Sequence, residues 1–200
     1  ELKPARGARW ALADTAALEL DAERQMFGRA CLHAAAARAC IGATRDPEAL
    51  RAQLELEALP LRELQSWVDF GDWQLDGRLD GGGELTIDAA GKPGGALRLA
   101  IADGELRGGG DLDQTLGFSG EVGFDGASAT LDAIVDLSGN GRVEARASGF
   151  DTPEGGLRAR LALTDLGFVD GLSAEVQGMR GGLAGELAVP LAEPTRAIGR

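Results

Sequence analysis

The feature that most constrains this chain is a strict alternation of apolar residues with polar or small residues over most of its length after Trp73. Leu97, Leu99 and Ile101 form one such series. The other alternating apolar positions are Leu131, Ala133, Val135 and Leu137; Val143, Ala145 and Ala147; Leu157, Ala159, Leu161 and Leu163; Leu172, Ala174 and Val176; and Leu183, Leu187 and Val189. Because successive side chains of a strand point to opposite faces, this period of two predicts strands with one apolar face and one polar face.

Glycine-rich segments stand between these alternating series, at 81–83, 94–95, 108–110, 155–156 and 181–182. They indicate breaks between strands. The Asn140-Gly141 pair lies between two alternating segments, which is a strong hairpin signal. We therefore predict an all-β fold with one long, antiparallel-rich sheet of about twelve to sixteen strands, about 60–75 Å across at a spacing of ~4.8 Å.

Two segments depart from this pattern. Residues 59–70 predict a short amphipathic helix, with Pro60 at its first position and Leu61 and Leu64 at helical spacing. Residues 21–41 contain an alanine run but have strand-like neighbours, so that a helix and a hairpin both remain open and the hairpin is preferred. The expected organisation is N-terminal strands with a cysteine hairpin over 1–58, the helix over 59–70, and a glycine-punctuated sheet over 71–200, with one continuous sheet throughout.

The chain has two cysteines, Cys31 and Cys40, nine positions apart. Residues at this spacing can lie opposite each other across a tight hairpin, where their Cβ atoms are close enough for a disulfide. Such a bond would indicate an oxidising compartment. Two buried free thiols are the alternative.

Composition and charge restrict the possible functions. The net charge of −12 argues against nucleic acid as a partner, because affinity for phosphates comes chiefly from lysine and arginine. His33 is the single histidine, and no motif supplies a metal site, a cofactor site or a catalytic centre. We therefore expect no enzymatic activity, no metal and no cofactor. The first residue, Glu1, suggests a section of a longer protein.

The apolar side of so wide a sheet must be covered. A β-sandwich would bury it against a second layer of the same chain. The alternation alone favours this sandwich. Small residues mixed into the apolar positions argue for the other possibility, an open apolar groove.

Three parts of the sequence carry a family resemblance. They are the segments around Cys31 and Cys40; the Leu-Pro-Leu-Arg-Glu-Leu-Gln-Ser-Trp segment at 59–67 with the Leu-Asp-Gly-Arg-Leu-Asp segment at 75–80; and residues 178–187 leading to Pro194. Together they resemble the TamB family, the inner-membrane subunits of the bacterial translocation and assembly module, within the AsmA-like group of bridge-like proteins. The resemblance implies a U-shaped sheet, or β-taco, whose apolar groove carries phospholipid. It also implies a periplasmic location, an inner-membrane anchor in the full-length protein, and an outer-membrane barrel partner of the BamA family that binds regions outside this fragment.

On this interpretation ten apolar residues line the lipid-binding groove. They are Leu97, Leu99, Ile101, Leu131, Val135, Val143, Leu161, Leu163, Val176 and Leu187. Two other functions remain open: a scaffold for outer-membrane protein assembly, in which sheet edges pair with a client strand, and an extracellular β-solenoid adhesin. The adhesin would need aromatic or clustered carboxylate residues for a carbohydrate site, and the sequence lacks both.

Overall fold

The structure is a computed structural model that describes residues 9–13, 15–64, 74–108, 112–126, 128–149, 155–167, 178–190 and 198–199. These residues form fourteen strands and one short helix. The strands are β1 (Ala11–Leu12), β2 (Leu18–Leu20), β3 (Gln25–Ala34), β4 (Ala37–Arg45), β5 (Ala49–Pro60), β6 (Gln74–Asp76), β7 (Arg78–Asp88), β8 (Pro93–Gly108), β9 (Leu112–Asp125), β10 (Ser128–Leu137), β11 (Gly141–Ser148), β12 (Gly156–Leu163), β13 (Leu183–Pro190) and β14 (Ile198–Gly199). The helix α1 is Leu61–Leu64.

All fourteen strands belong to one antiparallel sheet, with β1 at one end of the strand order and β14 at the other. From β3 onward each long strand pairs with the next long strand of the chain, while β2 pairs with β3 and β6 with β8. Among the described residues β1 and β14, the two ends of this order, do not pair with each other, so the sheet is open. The predicted all-β fold with one short helix is therefore confirmed, and its open antiparallel sheet is consistent with the predicted groove.

The ambiguous segment 21–41 forms a hairpin, as preferred from the sequence. Strands β3 and β4 pair from Gln25 opposite Arg45 to Ala34 opposite Ala37, and Ala35 turns the chain with a φ of 53°. The Asn140 hairpin is also confirmed, because Leu137 and Gly141 pair at the ends of β10 and β11. Gly141 has a φ of 124°, which residues with a side chain rarely adopt.

Two of the glycine segments were wrongly interpreted as breaks between strands. Residues 81–83 lie inside β7, and residues 94–95 lie inside β8. A Cβ atom at Gly83 would collide with the carbonyl oxygen of Ala96 on the neighbouring strand. The glycines therefore permit close approach of paired strands, which is the other common use of glycine within a sheet.

The helix begins two residues later than predicted, at Leu61 instead of residue 59. Strand β5 continues through Pro60, which pairs with Arg78, and α1 begins at Leu61. Proline lacks a backbone N–H, and here it stands next to the register shift between Leu56 and Leu59, where the ladder of hydrogen bonds is already interrupted. The rest of the predicted helix, from residue 65 to residue 70, lies outside the described residues. The Leu61 amide donates a hydrogen bond of 3.0 Å to the carbonyl of Gly77, which separates β6 from β7.

Three irregularities interrupt the pairing of the strands. The register shifts between Phe27 and Ala30 in β3, between Leu56 and Leu59 in β5, and between Ile101 and Gly104 in β8. Extra residues of this kind bend a strand and increase its twist. They supply the local bending that a curved sheet requires.

The buried core is small for a chain of this length. Among the described residues its apolar members are Ala30, Ala34, Ala37, Cys40, Ala49, Leu61, Leu79, Ala147 and Leu166. The chain exposes 13,098 Å², whereas a compact monomer of the same 20.6 kDa would expose about 8,900 Å². The larger accessible surface area fits an extended sheet better than a β-sandwich with a packed core.

Candidate functional site

The register places nine of the ten predicted groove residues on the same face of the sheet. We call this surface the apolar face and the opposite surface the polar face. Val135 lies directly opposite Val143, which lies directly opposite Leu161, so these three form one continuous row across β10, β11 and β12. The other six predicted residues, excluding Val176, share this face. Val176 lies outside the described residues.

The side chains of the nine residues are neither fully buried nor fully exposed to solvent. Each has intermediate exposure, although core leucine and valine residues are among the most often fully buried in proteins. The residues facing the other way on the same strands are mostly exposed, as in β11, where Arg142, Glu144 and Arg146 alternate with less exposed positions. At these nine positions the apolar face is therefore half-buried.

Small residues form a second row beside the first. Gly120, Ala133, Ala145 and Ala159 lie opposite one another in turn across β9 to β12. The parallel row of larger residues contains Phe118, Val135, Val143 and Leu161. Both rows run across the strands, along the direction in which the strands are stacked at ~4.8 Å. Across β10 to β12 the apolar face thus has a row of small side chains beside a row of bulkier ones.

Two glycines of the apolar face are covered by neighbouring side chains. A Cβ atom at Gly120 would lie 2.7 Å from Cζ of Phe118, and one at Gly81 would lie 2.7 Å from Cδ2 of Leu99. The Phe118 ring and the Leu99 side chain therefore lie along the sheet over the glycine backbone.

Sequence reasoning missed several residues of this face. Phe118 and Val122 on β9 pair with Val135 and Leu131, two of the predicted groove residues. Phe118 and Val122 stand at alternating positions, but the glycines at 117, 120 and 123 interrupt the apolar pattern of this segment. Leu54 and Leu56 on β5 also share the apolar face, and the Leu-Glu-Leu-Glu pattern could have identified them.

The polar face carries cross-strand ion pairs. These pairs include Arg29 with Glu55, Arg98 with Glu121 at 2.5 Å, Arg146 with Asp132 at 2.7 Å, and Arg160 with Glu186 at 3.3 Å. Glu121 raises the pKa of Arg98 through a side-chain hydrogen bond and its charge. These groups are exposed, so each pair contributes little to stability. Their main effect is to keep this face in water.

One buried polar side chain interrupts the apolar face near its end. Gln114 is 5% exposed, and its Nε2 donates to the carbonyl oxygens of Thr115 at 2.6 Å and Ser138 at 3.3 Å. Its Oε1 accepts a hydrogen bond from Nδ2 of Asn140. Because its polar atoms are satisfied, Gln114 fixes the β10–β11 turn against β9.

Cys31 and Cys40 form a disulfide, which confirms the sequence prediction. The two residues lie directly opposite each other on β3 and β4, with their Cα atoms 4.0 Å apart. The bond lies on the polar face, since the apolar face of this hairpin is formed by neighbours such as Leu32 and Ala39. Arg38 approaches the Cys31 sulfur at 3.7 Å.

Replacing both cysteines by alanine is expected to lower the free energy of unfolding by about 2–3 kcal/mol, because the loop of about ten residues is no longer closed in the unfolded chain. Denaturant unfolding with and without a reductant measures this effect. The reductant should shift the midpoint of the native protein and leave that of the Cys31→Ala, Cys40→Ala variant unchanged. An equal midpoint for the oxidised and reduced native protein would contradict the prediction.

The described residues contain no group of three or more histidine, cysteine or carboxylate side chains that could hold a metal ion. Nor does this part of the chain include a helix long and apolar enough to cross a membrane. No known protein family, curated protein or solved structure matches the chain. The site is therefore defined by its own geometry: an open antiparallel sheet whose apolar face is half-buried at the nine predicted residues and exposed at others, such as Ile41 and Leu85.

Proposed function

We propose that the chain is a periplasmic section of a bridge-like protein of the TamB family, and that its apolar face carries phospholipid acyl chains between the inner and outer membranes. The observation that supports this is the half-buried state of the nine apolar residues that share one face of an open sheet. A sandwich core would bury such residues. A surface that receives acyl chains would leave them accessible.

The energetics of acyl transfer favour such a surface. Each CH₂ group exposed to water costs about 0.8 kcal/mol, so a sixteen-carbon chain would cost on the order of 12 kcal/mol to cross the periplasm uncovered. A continuous apolar face removes much of this cost. Its shallow rows offer few deep pockets, which favours sliding along the face over tight binding at one position.

The disulfide supports the proposed location. Disulfides form and persist in oxidising compartments, of which the bacterial periplasm is one, and they are rare in the cytosol. The Cys31–Cys40 bond joins adjacent strands on the face directed away from the proposed lipid path. It can therefore stabilise the sheet without narrowing that path.

Mass spectrometry of organic extracts from the purified protein tests the proposal. We expect phospholipid in near-stoichiometric amounts, because the acyl chains would cover the apolar face. A protein purified without detergent and free of lipid would contradict the proposal. Crosslinks from strand edges to nascent outer-membrane proteins, without lipid, would instead support the assembly scaffold.

A further inference from the structure

A cavity of about 520 Å³ lies at the end of the sheet where three hairpin turns meet. These turns connect β2 with β3, β4 with β5, and β7 with β8. Its wall contains Glu23 from the first turn, Arg45 and Leu50 from the strands on either side of the second, and Ile87 from the end of β7. The cavity therefore combines charged and apolar side chains from separate parts of the sequence.

The apolar wall of this cavity continues the apolar face. Arg45 lies directly opposite Leu50, and Leu50 lies directly opposite Ile87, so all three share that face. Leu50 is 38% exposed and Ile87 is 43% exposed. Leu20 shares the same face through its pairing with Gln25, and it is also exposed. Large apolar side chains thus reach solvent beside a guanidinium group.

Two exposed, opposite charges line the cavity, on Arg45 and Glu23. Among the described residues, neither the Arg45 guanidinium nor the Glu23 carboxylate forms an ion pair or a side-chain hydrogen bond. Arg45 and Glu23 therefore line one cavity without pairing with each other. A ligand that carries a negative and a positive group could contact both.

The other carboxylates of the cavity have roles in the turns. Asp46 accepts hydrogen bonds from the amides of Glu48 and Ala49 and pairs with Arg51 at 2.5 Å. The Ala49 amide, followed by Arg51 and the Glu48 amide, lowers the pKa of Asp46. Asp88 accepts hydrogen bonds of 2.8 Å from the amide of Lys92 and from that of Ala90.

We propose that this cavity binds the headgroup of a zwitterionic phospholipid, with the phosphate on Arg45, the ammonium on Glu23, and the start of an acyl chain against Leu50 and Ile87. This inference rests on the proposed function and adds a headgroup preference to it. Phosphatidylethanolamine has both charges in one headgroup. The headgroup of phosphatidylglycerol has only the negative phosphate. It has no ammonium group to offset the repulsion between that phosphate and the carboxylates of the cavity.

Lipid loading from vesicles tests the preference. The purified protein is incubated with equimolar dioleoyl phosphatidylethanolamine and dioleoyl phosphatidylglycerol, reisolated, and its lipid quantified by mass spectrometry. We expect enrichment of phosphatidylethanolamine on the native protein. Glu23→Gln should bring the ratio close to that of the vesicles. Arg45→Gln should lower the loading of both lipids about fivefold, because it removes a charge-assisted contact to the shared phosphate.

Matched controls lie on the polar face. Glu19 lies opposite Met26 and Arg158 lies opposite Arg146, so both positions face away from the apolar face. Glu19→Gln and Arg158→Gln should therefore leave the amount and the ratio of lipid unchanged. Circular dichroism of all four variants should show the native strand content.

The outcomes separate this inference from the proposed function. Lipid on the native protein, with the ratio unaltered by Glu23→Gln and the loading unaltered by Arg45→Gln, would overturn the headgroup site and leave the proposed function intact. A native protein that takes up no lipid would contradict the proposed function itself. Glycerophosphoethanolamine, which has the headgroup without acyl chains, should compete weakly, and its displacement of bound lipid at equimolar concentration would overturn the assignment to a lipid.

Discussion

Replacing Leu161 with aspartate is expected, under the proposed function, to reduce the amount of phospholipid that co-purifies with the protein about tenfold or more. Leu161 lies in the row of large side chains, opposite Val143, and has intermediate exposure. A carboxylate in contact with acyl chains costs roughly 2.5–3.5 kcal/mol, as estimated from charged residues at the centre of a bilayer. The loss is measured by quantifying lipid in organic extracts. Transport between donor and acceptor vesicles should fall in parallel.

The neighbouring residue supplies the control. Ala162 lies on the polar face opposite Arg142, where an added carboxylate would meet a guanidinium group. Ala162→Asp should therefore retain native lipid content. Both variants should keep a cooperative unfolding transition, since Leu161 is not part of the buried core. A folded Leu161→Asp variant with native lipid content would contradict the proposed lipid path.

Leu61→Ala is expected to have the largest effect on stability, lowering the free energy of unfolding by about 2–5 kcal/mol. Leu61 is only 2% exposed, and no other side chain among the described residues is both large and fully buried. A Cβ atom at Gly77 would lie 3.2 Å from Cδ1 of Leu61. Truncation would leave a cavity where α1 packs on the junction of β6 and β7.

Urea unfolding followed by circular dichroism measures this loss. Leu20→Ala is the matched control, because the same change is made at a side chain that is 69% exposed. The control should change stability by less than about 0.5 kcal/mol. Equal destabilisation by the two substitutions would show that Leu61 does not anchor the helix.

The fold could be predicted largely because the alternation of side chains is a local signal. The row formed by Val135, Val143 and Leu161 follows directly from three alternating segments and antiparallel pairing. The disulfide required one further step, since a two-residue turn at Ala35 brings Cys31 opposite Cys40.

The role of the glycines could not be predicted from local pattern. Glycine permits both a turn and the close approach of two strands, and only the identity of the neighbouring strand distinguishes the two. For Gly83 the deciding group is the Ala96 carbonyl on β8.

The cavity beside Arg45 was missed for a related reason. Glu23, Arg45 and Ile87 are distant in sequence and meet only because three turns lie at the same end of the sheet.

The nearly sequential strand order has a consequence for how a protein of this kind can change in length. Each long strand after β3 depends for its backbone hydrogen bonds on its immediate predecessor and successor. Duplicating or deleting one β-hairpin would therefore shift the remaining strands along the stacking axis by about 10 Å without altering their mutual pairing. Under the proposed function, such a protein could be matched to a wider or narrower distance between the two membranes in steps of two strands.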